Sequence, residues 1–165
     1  MAYRNKTYVI FDGDEDMWAY AYMKGWKANR HIDFDFYDAH DIKRMPRALD
    51  ENYVKSVLRQ RLDNTKQAVL LCGENTKNLY RFVRWELECC LDKKIPIVVA
   101  NLNKRRDFDL NRCPPILNGA GAMHVAYGAR IIKFALDNYA EDPKEYKSAT
   151  NWYYEKSVYE SLGYD

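Results

Sequence analysis

The chain has 165 residues, 47% of them hydrophobic and 30% charged, a size and mix suited to one compact domain. Lys and Arg total 26 against 24 for Asp and Glu, and a formal charge of +2 excludes a protein held to nucleic acid mainly by phosphate neutralisation. No apolar run approaches the roughly 20 residues that cross a bilayer, and the opening MAYRNKTYVIF lacks the apolar stretch and cleavage site of a secretory signal. The expectation is a cytoplasmic chain with no membrane and no nucleic-acid partner. Cys72, Cys89, Cys90 and Cys113 show no metal-ligand spacing, so they read as reduced packing residues.

In chain order, TYVIF at 7–11 is a short β-branched and aromatic run that ends in the turn formers and acids of 12–16. It reads as a buried strand running into a loop. Trp18, Tyr22 and Trp26 recur four apart and outline a first helix from Asp16 to about Asn29. DFDFY at 33–37 alternates with period two, as a strand does, and the stretch 38–50 loses all periodicity and reads as a long exposed loop. Val54, Val57, Leu58 and Leu62 mark the inner face of a second helix, and AVLLC at 68–72 is a central strand closed by Gly73. A third helix is expected over 79–91, then a two-sided buried strand, IPIVVA, at 95–100. The region 103–121 has no helical pattern and reads as a structured loop. MHVAY at 123–127 is a further strand, and Ile131, Ile132, Ala135, Leu136 and Tyr139 outline a further helix. After Pro143, Trp152, Tyr154, Val158, Tyr159 and Leu162 fall at near-helical spacing and suggest an appended helix.

Strands alternating with helices, several of them apolar on both faces, specify a central parallel sheet covered on each side, a flavodoxin-like three-layer sandwich. In such sheets ligands sit beyond the carboxyl ends of the strands, which directs attention to 11–16, 38–50 and 73–77.

Projected at about 100° per residue, the third helix places Leu79, Phe82, Val83, Leu87, Cys90 and Leu91 on one apolar arc. Glu86 falls inside that arc, whereas Glu88 falls outside it. A carboxylate there is desolvated, hydrogen-bonded or facing a cleft, and the bland alternative is a pairing with Arg81 or another cation. Trp85 projects almost opposite the arc, where the carboxy-terminal tail or another subunit can cover it. Asp12 and Asp14 form a DxD after the first strand, but a metal-dependent phosphoryl-transfer site also needs a later acidic pair and a placed lysine, and MHVAYG at 123–128 supplies no lysine to end a strand, so no metal is expected. His31, His40 and His124 share no spacing with other candidate ligands, and no GxGxxG, P-loop or GxSxG is present.

The segments VIFDGDED at 9–16, DFDFYDAHD at 33–41, ENYVKSVLRQRL at 51–62, VLLCGENT at 69–76 and FVRWELECCLDKKIPIV at 82–98 together resemble the TIR-like family typified by the Thoeris anti-phage TIR proteins. The most specific part is Phe82 followed by Trp85-Glu86 and, about ten residues on, a Pro-containing apolar strand. The resemblance spans roughly 7–140 and implies a TIR domain over 1–140, with 141–165 as a helical extension of the same domain. It implies an enzyme that cleaves the nicotinamide–ribose bond of NAD, with NAD as substrate and no cofactor, and that forms a cyclic ADP-ribose-type signal for a partner effector. By similarity Glu86 takes the catalytic position, Phe11 and Phe82 enclose the nicotinamide, and Asp12, Asp14 and Asp38 are further substrate contacts. It also implies self-association in which the 38–50 loop of one subunit completes the cleft of the next. Phe82 stands where many relatives carry Trp, and Ala39-His40 where a His-Ser pair is frequent. The alternative is a TIR-like scaffold in which Glu86 is structural and Trp85, the loop or the aromatic tail binds another protein.

Overall fold

A computed structural model of the chain describes residues 6–28, 35–38, 41–42, 45–139 and 150–165. The elements are β1 (Lys6–Ile10), α1 (Met17–Ala28), β2 (Asp35–Tyr37), α2 (Glu51–Arg61), β3 (Thr65–Cys72), α3 (Phe82–Asp92), β4 (Ile97–Asn101), β5 (Met123–Ala126), α4 (Ala129–Asn138), β6 (Trp152–Tyr153) and α5 (Lys156–Ser161). The six strands form one sheet in the order β2-β1-β3-β4-β5-β6, and every pairing is parallel. This is the flavodoxin-like α/β architecture. Its order reverses between β1 and β3, where ligands of such sheets bind.

Strand residues point alternately to opposite faces, and the core divides accordingly. Val9, Phe11, Val69, Leu71, Val98, Ala100 and Val125 pack with Ala19 and Met23 of α1 and with Ile131, Ile132 and Leu136 of α4. Tyr8, Ile10, Ala68, Leu70, Ile97 and Val99 pack with Val54 and Leu58 of α2 and with Val83, Leu87 and Cys90 of α3. Each of β1, β3, β4 and β5 is buried on both sides, hence the unbroken apolar runs.

Four expectations are revised. Of the aromatic residues spaced four apart on α1, Trp18 and Tyr22 are 48% and 62% exposed and only Trp26 packs against the core, because the inward face is built from Ala19, Tyr20 and Met23. The third helix begins at Phe82, after a 3-10 turn at Thr76–Asn78, rather than at Leu79. Trp85 is buried, not left outside, and it joins the α2 side of the core beside Ala48 and Leu49. The α3 helix packs against α2 as well as the sheet, so its apolar surface is wider than one arc. Finally, the near-helical tail splits: Trp152–Tyr153 adds a sixth strand beside β5, and only Lys156–Ser161 is helical. Backbone pairing to an open sheet edge outweighs a marginal helical period in so short a segment. The segment between β4 and β5 contains no α-helix, only a 3-10 turn at Pro115–Leu117, as its sequence suggests. Residues 140–149, which hold part of the expected extension, lie outside the described residues, as do His31, Ala39 and His40.

The tail is pinned by a buried contact in which the Ala126 backbone N–H donates to the Tyr159 hydroxyl at 3.1 Å. Tyr159→Phe keeps the ring and orphans that N–H, so it should cost about 1–3 kcal/mol in urea unfolding with an unchanged m-value.

Candidate active site

Gly73 ends β3, and its N–H donates to the Thr76 hydroxyl at 2.8 Å, which fixes the turn that leads into α3. A side chain at Gly73 would collide with the Asp16 carboxylate, so the loops after β1 and β3 meet there at van der Waals limits. Phe82 opens α3 at the carboxyl end of the sheet, and Glu86 lies one turn further along. The face it shares with Phe82, Val83, Leu87 and Cys90 is otherwise apolar.

Glu86 is 2% exposed. Its Oε2 accepts a 2.5 Å hydrogen bond from the hydroxyl of Tyr8, a fully buried residue of β1. Tyr8 is thus a partner of this carboxylate beyond the pairing with Arg81 or another cation weighed as the bland alternative. Burial first, and then the charge and hydrogen bond of Glu86, push the Tyr8 phenol well above its ordinary range, so it remains a donor. The Tyr8 ring meets Tyr37 edge-on at 5.1 Å, and Tyr37 donates its hydroxyl to the Arg61 carbonyl at 3.2 Å. Arg61 in turn holds Asp41 in a two-pronged contact of 2.5 and 2.9 Å. Asp38, at the end of β2, adds a weaker charge toward Arg61. Glu88 is engaged rather than simply solvated: burial pushes its carboxyl up, and hydrogen bonds from Lys55 and Arg84 outweigh this and hold it below the ordinary range.

Two cavities flank the start of α3. One, of about 260 Å³, is lined by Ala48, Leu49, Arg81, Phe82 and Trp85. The other, of about 440 Å³, is lined by residues 78–83. Arg81 and Phe82 wall both, and the exposed Leu49 and Tyr80 stand at their rims. Glu86 lines neither: its carboxyl sits one turn below Phe82, more enclosed than the partly dry cleft expected from sequence. A third cavity, of about 420 Å³, lies at the opposite end of the sheet around Ile95, Pro96 and Tyr139.

The remaining expected site residues are distributed unevenly. Phe82 and Glu86 lie on the α2/α3 side, and Asp38 follows β2. Phe11 is fully buried on the other face, stacked on Tyr20 at 4.7 Å, so the sheet separates it from Glu86. Asp12 is committed to the turn after β1, where its Oδ1 accepts from the backbone N–H of Asp14 at 2.9 Å and of Glu15 at 3.4 Å. Asp14 is exposed. Among the described residues no group of three or more His, Cys, Asp and Glu is placed to hold a metal ion. His124 is buried in β5, and burial drives its pKa down to about 4, which leaves the imidazole neutral. Tyr8 and Arg61 are the participants that sequence reasoning missed. The signal for Tyr8 was available, since it shares a strand face with Ile10 and is the one residue of TYVIF with a polar tip on that side.

Asp16 is the other unusual carboxylate. Burial first, then the charges of Asp12 and Glu15, raise its pKa from 3.8 to about 6, against an opposing pull from Arg112. The folded state therefore holds this proton more tightly than the unfolded chain does, so the contribution to stability is full below pH 4 and is lost as pH rises through 6. Asp16→Asn should stabilise the protein by about 1–2 kcal/mol at pH 7 and by little below pH 4, as read by urea unfolding at the two pH values.

No curated protein matches the chain. The family model described as "Thoeris protein ThsB, TIR-like domain" matches residues 8–107. That span runs from β1 through β4 and contains Tyr8, Phe82 and Glu86, and it covers more than half of the sequence. On this match and an all-parallel sheet of the expected kind, the chain belongs to the ThsB TIR-like family of Thoeris anti-phage defence proteins.

Proposed function

We propose that the chain cleaves the nicotinamide–ribose bond of NAD, with Glu86 as its catalytic carboxylate. One observation carries the reading: an acidic side chain is kept at 2% exposure on an apolar helix face, one turn below an aromatic residue that walls two cavities. A carboxylate buried only for packing gains nothing over a hydrocarbon of similar volume.

The chemistry asks for such a group. Nicotinamide in NAD is a pyridinium; when its bond to the ribose C1′ breaks, the bonding pair leaves with the ring nitrogen and the base departs neutral, without a proton donor. The sugar left behind develops oxocarbenium charge, as in glycoside hydrolysis. A fixed carboxylate close to the ribose stabilises that charge and strengthens its hydrogen bonds to the sugar hydroxyls as the bond stretches. Phe82 offers a ring for the nicotinamide, and Asp38 is carried as a further substrate contact. Capture of the cation by water yields ADP-ribose, whereas capture by a hydroxyl of the other ribose yields a cyclic product that serves as signal to a partner effector. Asp12 and Asp14 belong to the turn after β1 and are carried as substrate contacts only by resemblance. Self-association through the 38–50 loop fits the same reading. Glu86 is 2% exposed, so its cover must shift before a ribose reaches the carboxyl, and packing of a second subunit on that loop supplies a way to shift it.

The scaffold reading has its own support, since Glu86 is covered and Leu49 and Tyr80 are 78% and 66% exposed beside the cavities, as a protein-binding rim would be. The two readings separate on incubation of the protein with NAD, with and without lysate from phage-infected cells, and detection of nicotinamide and cyclic ADP-ribose isomers by mass spectrometry. Wild type should release nicotinamide, and Glu86→Gln should lose at least about a hundredfold of the rate. Equal release by the variant, or none by wild type under either condition, rejects the catalytic reading. Phe82→Ala should raise KM for NAD several-fold and lower kcat less, which steady-state kinetics will resolve.

A further inference from the structure

We propose that Tyr8 is the positioning residue of this site, its hydroxyl holding the Glu86 carboxylate ionised and in a single orientation for contact with ribose. The inference rests on the reading of Glu86 as catalytic and extends it to a residue on a different element, 78 positions away in sequence.

The hydroxyl reaches from the middle of β1 across the sheet–helix interface and donates to Oε2. Both residues lie in an interior otherwise furnished by Ile10, Leu70, Val83, Leu87 and Cys90. A carboxylate in such surroundings takes up a proton unless a donor favours its charged form, and a neutral carboxylic acid does nothing for a developing oxocarbenium ion. Several neighbouring groups among the described residues have defined states. On α3, burial first and then the Glu86 charge keep the Cys90 thiol protonated. On α2, Arg61 is committed to Asp41. On β2, Tyr37 meets the Tyr8 ring by its edge and gives its own hydroxyl to a backbone carbonyl. On β1, Tyr8 stays protonated and so remains a donor throughout the working range. The Tyr8 ring is fully buried and meets Tyr37 edge-on, so its hydroxyl is presented to Oε2 from a fixed direction. Tyr8 touches no substrate and acts only through Glu86.

The test compares wild type, Tyr8→Phe and a protein carrying 3,5-difluorotyrosine in place of Tyr8, each labelled with ¹³C at the Glu side-chain carboxyls. Glu86→Gln assigns the resonance. In Tyr8→Phe the Glu86 titration midpoint should rise by about one pH unit or more, and kcat for nicotinamide release near neutrality should fall about tenfold or more with KM for NAD within about twofold, recovering as pH rises. The fluorinated phenol, a stronger donor of nearly the same shape, should lower the midpoint and retain kcat, and it decides the matter if Tyr8→Phe does not fold. An unchanged midpoint, or a loss of kcat without a change in titration, overturns the proposal and leaves Tyr8 a packing residue. Wild type that releases no nicotinamide overturns the NAD reading instead, and with it the role in catalysis; the titration then still decides whether Tyr8 governs the carboxylate.

Discussion

A carboxylate placed in the hydrocarbon layer between α3 and the sheet has to be answered by a donor from across that layer, and much of this molecule is arranged around the answer. The donor is a phenol on β1, which requires β1 to lie under α3 with Tyr8, not Val9, turned toward the helix. That in turn requires the order β2-β1-β3, with β1 between its partners and residues 8–10 registered against 68–70. A slip of one residue would turn Tyr8 to the α1 side and leave Glu86 facing Val9. The register that buries the core is therefore the register that completes the site.

The same alternation sorts the other candidates. Phe11 shares its parity with Val9 and goes to the far face, where it stacks on Tyr20 and stabilises α1. Asp12 and Asp16 lie beyond the strand, and both are absorbed by the turn that connects β1 to α1. The acidic run after β1 thus becomes a structural corner held against Gly73, with Asp16 as its electrostatic cost. What faces the cavities at the start of α3 is instead aromatic and cationic: Phe82, Trp85 and Arg81. That combination suits a flat cationic base and a pyrophosphate more than it suits a metal ion.

In the reaction proposed above, the enclosure of Glu86 has a functional counterpart. A carboxylate open to water would be screened and would let water compete for the cation, whereas a covered one is effective only once substrate or a neighbouring subunit has displaced its cover. Asp41, Arg61, Tyr37 and Tyr8 form a contiguous series from the segment after β2 to the carboxyl. The segment after β2 is thereby in physical contact with the elements that hold Glu86.

Composition and periodicity by themselves determined the layer order, the two-sided strands, the helix-free connection before β5 and the presence of an acid inside the apolar arc of α3, because burial imposes periods of 2 and 3.6 on any chain that forms such layers. They carried no information on which distant group meets that acid, on the closure of its cleft, or on the outward placement of the Trp18–Tyr22 stripe. Those outcomes depend on which elements become neighbours: Trp85 is buried because α2 and the 45–50 segment reach it, and Trp152–Tyr153 is a strand because β5 offers an unpaired edge. Tyr8 and Glu86 meet only when strand register, sheet order and helix docking are all set, and no local pattern encodes that meeting.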